Sequence, residues 1–167
     1  MPTFEYPVKM TTLSAIARAQ VSADQRTQIA QVLTEIDQCR SAKAWIATGL
    51  LAAGMAATLL RARLRGMPEV AYQSRYAERD AKTHRETKIA TWQLRALHEV
   101  AYALYLIDAN PEAFALAHAY TVPGIADSAE PVEQRHAEAA LGLLAAVVRD
   151  LSANKRSEIG AFRSNAG

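Results

Sequence analysis

Residues 44–60 form a run of seventeen uncharged residues, which reads AWIATGLLAAGMAATLL. The run lies between Lys43 and Arg61, and its length is at the lower limit for a membrane-spanning helix. Ten of its seventeen residues are Ala, Gly or Thr, which gain little free energy on transfer into lipid. The basic residues at both ends encode no orientation. The run therefore predicts a closely packed core helix, and no membrane partner is expected. The small residues that would let a neighbouring helix approach are Gly49, Ala53, Ala56 and Ala57, and the larger residues that would fill the core beside them are Ile46, Leu50, Met55 and Leu59.

The composition of the whole chain also favours helix. Of the 167 residues, 35 are Ala, which has the highest intrinsic helix propensity. Long alternating runs of Val, Ile and Thr are absent, so no sheet is expected. We predict an all-α fold, a single-domain bundle of five or six helices in residues 1–152, followed by a flexible tail in residues 153–167.

Local signals divide this bundle into helices. The sequence SADQ, Ser22 to Gln25, is typical of a capping box at a helix start, and the apolar pattern changes near Arg40, where we expect a break. Pro68 cannot continue the helix that precedes it. The expected helices span about 12–20, Ser22 through Cys39, 42–65, a long stretch at 74–108, a short stretch from Asn110, and 131–152.

The charge distribution is uneven although the net charge is only +2. Residues 61–95 carry nine basic and four acidic side chains, a local charge of +5. Residues 96–154 carry two basic and eight acidic side chains, a local charge of −6. This polarity suits a polyanion on one side of the molecule and a basic protein neighbour on the other.

The predicted helix 74–108 has a core face made up of Tyr76, Ala90, Leu94, Leu97, Ala101 and Leu104. A second face would carry Arg85, Lys88, Trp92 and Arg95, because their spacings are three, four and three. A row of cations with an aromatic ring between them is typical of a surface that binds nucleic acid without reading its sequence. Two other interpretations stay open: the face is simply solvated, or Trp92 packs on another helix or on a partner subunit. The candidate nucleic-acid-binding residues are Arg61, Arg65, Arg79, Lys82, Arg85, Lys88, Trp92 and Arg95.

Signals for catalysis are weak. Glu133 and His136 form one Glu-x-x-His pair, whereas a ferritin-like di-iron site needs two such pairs and two further Glu residues. Cys39 lies on the apolar side of its helix, and no Gly-rich phosphate loop is present. We therefore expect no enzyme, no metal site and no cofactor. A single cysteine and a start, MPTFEYPVKM, without an apolar segment favour the cytoplasm.

Two segments resemble the small subunits of multi-subunit CRISPR effector complexes, of type III or type IV. Residues 45–60 resemble that family's Ile…Asn-Gly-Leu segment and the apolar helix after it, although Thr48 stands in place of the Asn. Residues 137–151 resemble the final family helix, Glu-Ala-Leu-x-Leu-Leu…Arg, although Ala146 stands where a Trp is often found. The middle third of the chain has no counterpart.

This resemblance implies a non-catalytic subunit of an antiviral ribonucleoprotein complex. Copies of the chain would pack on one another and on other subunits, and their basic faces would contact RNA or single-stranded DNA. Two other functions stay open. One is a helical adaptor that contacts only proteins, and the other is a ferritin-like metal-binding bundle.

Overall fold

The computed structural model describes residues 23–108 and 134–152. Within these ranges there are five α-helices and an isolated β-bridge but no β-strand, so the all-α prediction is confirmed. The helices are α1 (Ala23–Ser41), α2 (Trp45–Arg65), α3 (Pro68–Gln73), α4 (Leu94–Ala103) and α5 (Gln134–Ser152), and a one-turn 3₁₀ helix spans Ile89–Thr91. The predicted helices near 12–20 and from Asn110, the first residues of the last helix, and the predicted tail lie outside the described residues.

Helix α2 is the centre of the bundle. It packs against α1, α3, α4, α5 and the 3₁₀ helix, and most extensively against α5. The small residues Gly49, Ala53, Ala56 and Ala57 are all buried, as predicted for a helix whose neighbours approach closely. Two larger residues differ from the prediction: Ile46 and Leu50 were expected to fill the core, but they are 51% and 40% exposed.

Among the described helices, α2 alone is long and apolar enough to cross a membrane, judged by length and composition. Its most apolar stretch of eighteen residues has a mean hydropathy of 1.4, and half of that stretch is buried inside the protein. Such burial is typical of a core helix, which is the interpretation that the sequence favours.

The predicted break between the first two long helices is confirmed. Helix α1 ends at Ser41 and α2 begins at Trp45. Lys43 between them has a φ of 56°, in the left-handed region, so it cannot belong to a continuous α-helix. The end of α2 before Pro68 is also confirmed, because α3 starts at that proline.

Helices α4 and α5 pack their apolar faces around α2. Leu94, Leu97 and Ala101 of α4 are buried at helical spacing, as predicted. Near the end of α5, the buried carboxylate of Asp150 accepts a hydrogen bond of 2.9 Å from the backbone N–H of Asp108. This bond links α5 to the segment that follows α4.

The predicted continuous helix over 74–108 is wrong. Only Leu94–Ala103 is α-helical, and residues 74–93 form a loop and the 3₁₀ helix. Thirteen residues separate Tyr76 from Ala90, the next residue of the predicted core face. Over this interval a helix would have no apolar side chain on that face to pack against the core. Asp80 also bonds the backbone two and three residues ahead, in direct competition with helical hydrogen bonds.

Candidate nucleic-acid interface

A hairpin-shaped loop, residues 78–88, lies between α3 and α4, and we name it the basic hairpin. Arg79 and Glu86 face each other in an antiparallel β-bridge. The backbone N–H of Asp80 donates to the carbonyl of Arg85 across 2.9 Å, and that of Thr87 donates to the carbonyl of Glu78 across 3.0 Å. These bonds close the loop, and residues 79–86 are all exposed.

Asp80 organises the tip of the basic hairpin. Its Oδ1 accepts hydrogen bonds from the backbone N–H groups of Lys82 (3.0 Å) and Thr83 (2.7 Å) and from the Thr83 hydroxyl (3.0 Å). The hydrogen bonds from Thr83, followed by that from Lys82, lower the pKa of Asp80 below its ordinary value. Asp80 is therefore ionised at neutral pH and stabilises the turn.

The base of the basic hairpin is anchored to α3 by two aromatic side chains. The indole N–H of Trp92 donates to the carbonyl of Thr87 across 3.0 Å. The Trp92 ring meets the ring of Tyr72 edge to face, with centroids 5.7 Å apart and an interplanar angle of 85°. The hydroxyl of Tyr72 accepts a hydrogen bond from the backbone N–H of Ile89.

The prediction that Trp92 shares an exposed face with Arg85, Lys88 and Arg95 is wrong. Trp92 is fully buried, with an exposed fraction of 0%. The prediction assumed a continuous helix, whereas the backbone at Trp92 is extended, with a ψ of 137°. The ring turns into the core and packs beside Tyr72 of α3, which is the alternative that the sequence left open. Trp92 is therefore not available to stack on a base.

Arg61, the second predicted contact that turns inward, is half-buried on α2. Its guanidinium donates to the carbonyl oxygen of Trp92 across 3.0 Å, and its Nε is buried with no hydrogen bond among the described residues. Burial lowers the pKa of Arg61, and the positive charge of Arg65 lowers it further. Arg61 therefore has a structural role, whereas Arg65 is exposed at the end of α2.

The acidic side chains of the basic hairpin are all used within the protein. Besides Asp80, Glu86 pairs with Arg79 across 3.7 Å, and Oε2 of Glu78 accepts a hydrogen bond of 2.8 Å from the backbone N–H of Gln93. The cations differ. In the described part of the chain, the side chains of Lys82, Arg85 and Lys88 are exposed and make no ion pair or hydrogen bond.

Two other predicted cations are exposed but paired. Arg79 forms the pair with Glu86, and Arg95 of α4 forms an i,i+4 ion pair with Glu99 across 3.1 Å. Exposed pairs of this kind contribute little to stability, so a phosphate can compete for either arginine. Arg79 and Arg95 can therefore bind phosphate after a weak ion pair is broken. Lys82, Arg85 and Lys88 can bind phosphate without the loss of an ion pair to a described residue.

The acidic region 96–154 is only partly described. Glu99 is engaged with Arg95, and Asp150 is buried and bound by Asp108 and by Arg149. These two carboxylates do not form an open acidic surface. Glu133 lies outside the described residues, and residues 23–108 and 134–152 contain no group of three or more His, Cys, Asp or Glu side chains placed to hold a metal ion.

Two features of this interface were missed from the sequence. The segment DAKTHRET, 80–87, contains an Asp with a Thr three residues later, which is a turn signal that would have interrupted the predicted helix. Ile89 and Trp92 are apolar residues three apart, a spacing that is compatible with a core anchor as well as with a surface row.

Comparisons of the chain with protein-family models, with curated proteins and with solved structures found no match.

Proposed function

We propose that the chain is a non-catalytic helical subunit of a ribonucleoprotein effector complex, and that the basic hairpin contacts the phosphate backbone of RNA or single-stranded DNA. The observation that carries this proposal is the charge state of the basic hairpin. Its three acidic side chains are engaged internally, while Lys82, Arg85 and Lys88 are exposed and have no ion-pair partner within residues 23–108 and 134–152.

Unpaired cations on a closed loop are suited to phosphate. Binding neutralises each phosphate and releases condensed counterions, which favours association at low salt. The hydrogen bonds of Asp80 and Thr87 already order the loop, so less conformational entropy is lost when it binds. The contacts are to phosphate rather than to base edges, so binding is expected to be independent of sequence.

Packing against neighbouring subunits is the second part of the proposal. Ile46 and Leu50 lie one turn apart on α2 and are 51% and 40% exposed. Exposed apolar side chains at this spacing suit a contact with another helix, either of another subunit or of a second copy of the chain. The resemblance of residues 45–60 to the small-subunit family covers the same surface.

The same apolar pair supports the alternative function, a helical adaptor that contacts only proteins. The two functions differ in the role of the basic hairpin, which would bind nucleic acid in an effector subunit and would bind none in an adaptor. A purified adaptor complex would show no excess absorbance at 260 nm, whereas a nucleic-acid-binding subunit would retain nucleic acid at low salt.

The direct test is fluorescence anisotropy of labelled single-stranded RNA and DNA with the purified full-length chain. We expect binding at 50 mM salt that weakens steeply towards 500 mM, with similar affinities for unrelated sequences. No binding to either strand at 50 mM salt would exclude the nucleic-acid function and leave the adaptor.

A further inference from the structure

An open cleft lies directly before the basic hairpin, where the end of α3 faces the end of α4. Its volume is about 390 Å³, and small-molecule sites usually measure roughly 300–1,000 Å³. Its lining includes Gln73, Arg75 and Tyr76 at and after the end of α3, and Tyr102 and Leu104 at the end of α4. Among the residues that the structure describes, no carboxylate lines the cleft.

The cleft combines aromatic rings with a cation. The guanidinium carbon of Arg75 lies 4.6 Å from the centroid of the Tyr76 ring, and the same guanidinium donates a hydrogen bond to the Tyr76 hydroxyl. Tyr102, which also lines the cleft, is 51% exposed although it is an aromatic residue on the last turn of a packed helix. An accessible ring and an arginine thus face one open volume.

We propose that this cleft binds one unpaired nucleotide of a single strand, with its base against Tyr102 and its phosphate at Arg75. A nucleotide has a planar base that can stack on an exposed aromatic side chain and a negatively charged phosphate that can bind a guanidinium. The bases of a duplex are stacked on one another and are not accessible to Tyr102, so the ligand is single-stranded.

The position of the cleft connects it with the basic hairpin. Tyr76 precedes Glu78 by two residues, so their Cα atoms lie within about 8 Å of each other. A strand whose phosphates lie along Lys82, Arg85 and Lys88 can therefore continue towards Arg75. The inference rests on the proposed function and adds to it the aromatic contact that Trp92 does not make.

The test compares two ligands and three variants of the full-length chain. The ligands are a ten-nucleotide pyrimidine strand and an abasic strand of equal length, each as RNA and as DNA. Tyr102→Ala removes the stacking ring, and Tyr102→Phe retains the ring without its hydroxyl. Tyr105→Ala is the matched control, because Tyr105 is 68% exposed and does not line the cleft.

We expect the unmodified chain to bind the base-bearing strand roughly tenfold more tightly than the abasic strand, in at least one of the two sugar series. Tyr102→Ala should abolish this preference without changing affinity for the abasic strand, whereas Tyr102→Phe and Tyr105→Ala should retain it. Equal affinity of the unmodified chain for both strands, or a preference that survives Tyr102→Ala, would overturn the inference.

These outcomes are distinguishable from failure of the proposed function. If the cleft inference alone is wrong, both strands still bind the unmodified chain, and a variant with Lys82→Glu, Arg85→Glu and Lys88→Glu still binds both strands more weakly. If neither strand binds the unmodified chain, both proposals are overturned.

Discussion

The guanidinium of Arg61 donates a hydrogen bond to the carbonyl oxygen of Trp92 across 3.0 Å, and this bond ties the central helix α2 to the base of the basic hairpin. It explains why a cation within a basic cluster is half-buried. Because Arg61 lies beside Arg63 and Arg65 in the sequence, it resembles a phosphate ligand. It instead supports the loop that carries the exposed cations.

Replacement of Arg61 by Met should therefore affect folding more than binding. The apolar stem is largely retained, but the Trp92 carbonyl loses its donor, so we expect a loss of about 1 kcal/mol in the free energy of unfolding. Arg65→Met, one turn further along α2 at an exposed position, should change it by less than about 0.5 kcal/mol. Urea denaturation of both variants measures the difference. Equal stability of the two variants would contradict the structural role of Arg61.

Replacement of Trp92 tests the anchor of the basic hairpin. Trp92→Ala should destabilise the chain by about 3–5 kcal/mol, because it leaves a large cavity in the core. Trp92→Phe retains an aromatic ring beside Tyr72 but loses the bond to the Thr87 carbonyl, and it should cost less. Thermal denaturation measures both.

The fluorescence of Trp92 provides an independent check. A Trp45→Phe variant leaves Trp92 as the single tryptophan, and its emission should be blue-shifted and poorly quenched by iodide, because Trp92 is 0% exposed. Emission typical of a solvated indole would contradict the burial of Trp92 and support its exposure on the surface.

Asp80 makes the shape of the basic hairpin dependent on pH. Hydrogen bonds to the folded carboxylate lower the pKa of Asp80, so its contribution to stability is present above the ordinary carboxyl pKa and is lost as the pH falls through the lower, folded value. Amide hydrogen exchange at Lys82 and Thr83 should therefore accelerate in Asp80→Ala at neutral pH. Ala81→Ser, at an exposed neighbouring position, serves as the control. Unchanged exchange in Asp80→Ala would show that Asp80 does not stabilise the tip of the basic hairpin.

His98 should make the stability of the whole bundle dependent on pH. Burial lowers the pKa of His98 to about 4, although the charge of Glu99 opposes the shift. The unfolded chain therefore takes up the proton first, and stability is lost as the pH falls from about 6.5 towards 4, by up to about 1.4 kcal/mol per pH unit. His98→Leu should remove this part of the dependence in urea unfolding at pH 7 and pH 5. The same difference between the two pH values in both proteins would contradict a buried, neutral His98.

The sequence predicts the parts of this fold that depend on long apolar patterns. The burial of the small residues of α2 and the break near Arg40 follow from the apolar spacing, and the end of α2 follows from Pro68. Each of these features depends on a local signal or on a pattern that repeats over several helical turns. Few alternative structures satisfy such a pattern.

The candidate interface is different because single tertiary contacts decide it. The spacing of Arg85, Lys88, Trp92 and Arg95 fits a helix, but the hydrogen bonds of Asp80 and the packing of Trp92 on Tyr72 favour a loop. Tyr72 and Trp92 are twenty residues apart, and no local pattern connects them. The cations at 82, 85 and 88 could be predicted as exposed, while Arg61 and Trp92 could not be predicted as buried.

The phosphate contacts of the basic hairpin determine how single-strand binding depends on salt, and triple charge reversal, Lys82→Glu, Arg85→Glu and Lys88→Glu, removes them. If each cation neutralises one phosphate, the slope of log K against log salt should become shallower by about 2, because a single strand contributes about 0.7 per contact. Lys43→Glu is the control, since Lys43 lies just before the start of α2, whereas Arg61 near the other end of that helix contacts the residue Trp92 beside the basic hairpin. We predict a weakened, flatter curve for the triple variant and an almost unchanged slope for Lys43→Glu. Equal slopes for the triple variant and the unmodified chain would contradict a phosphate-binding role of the basic hairpin.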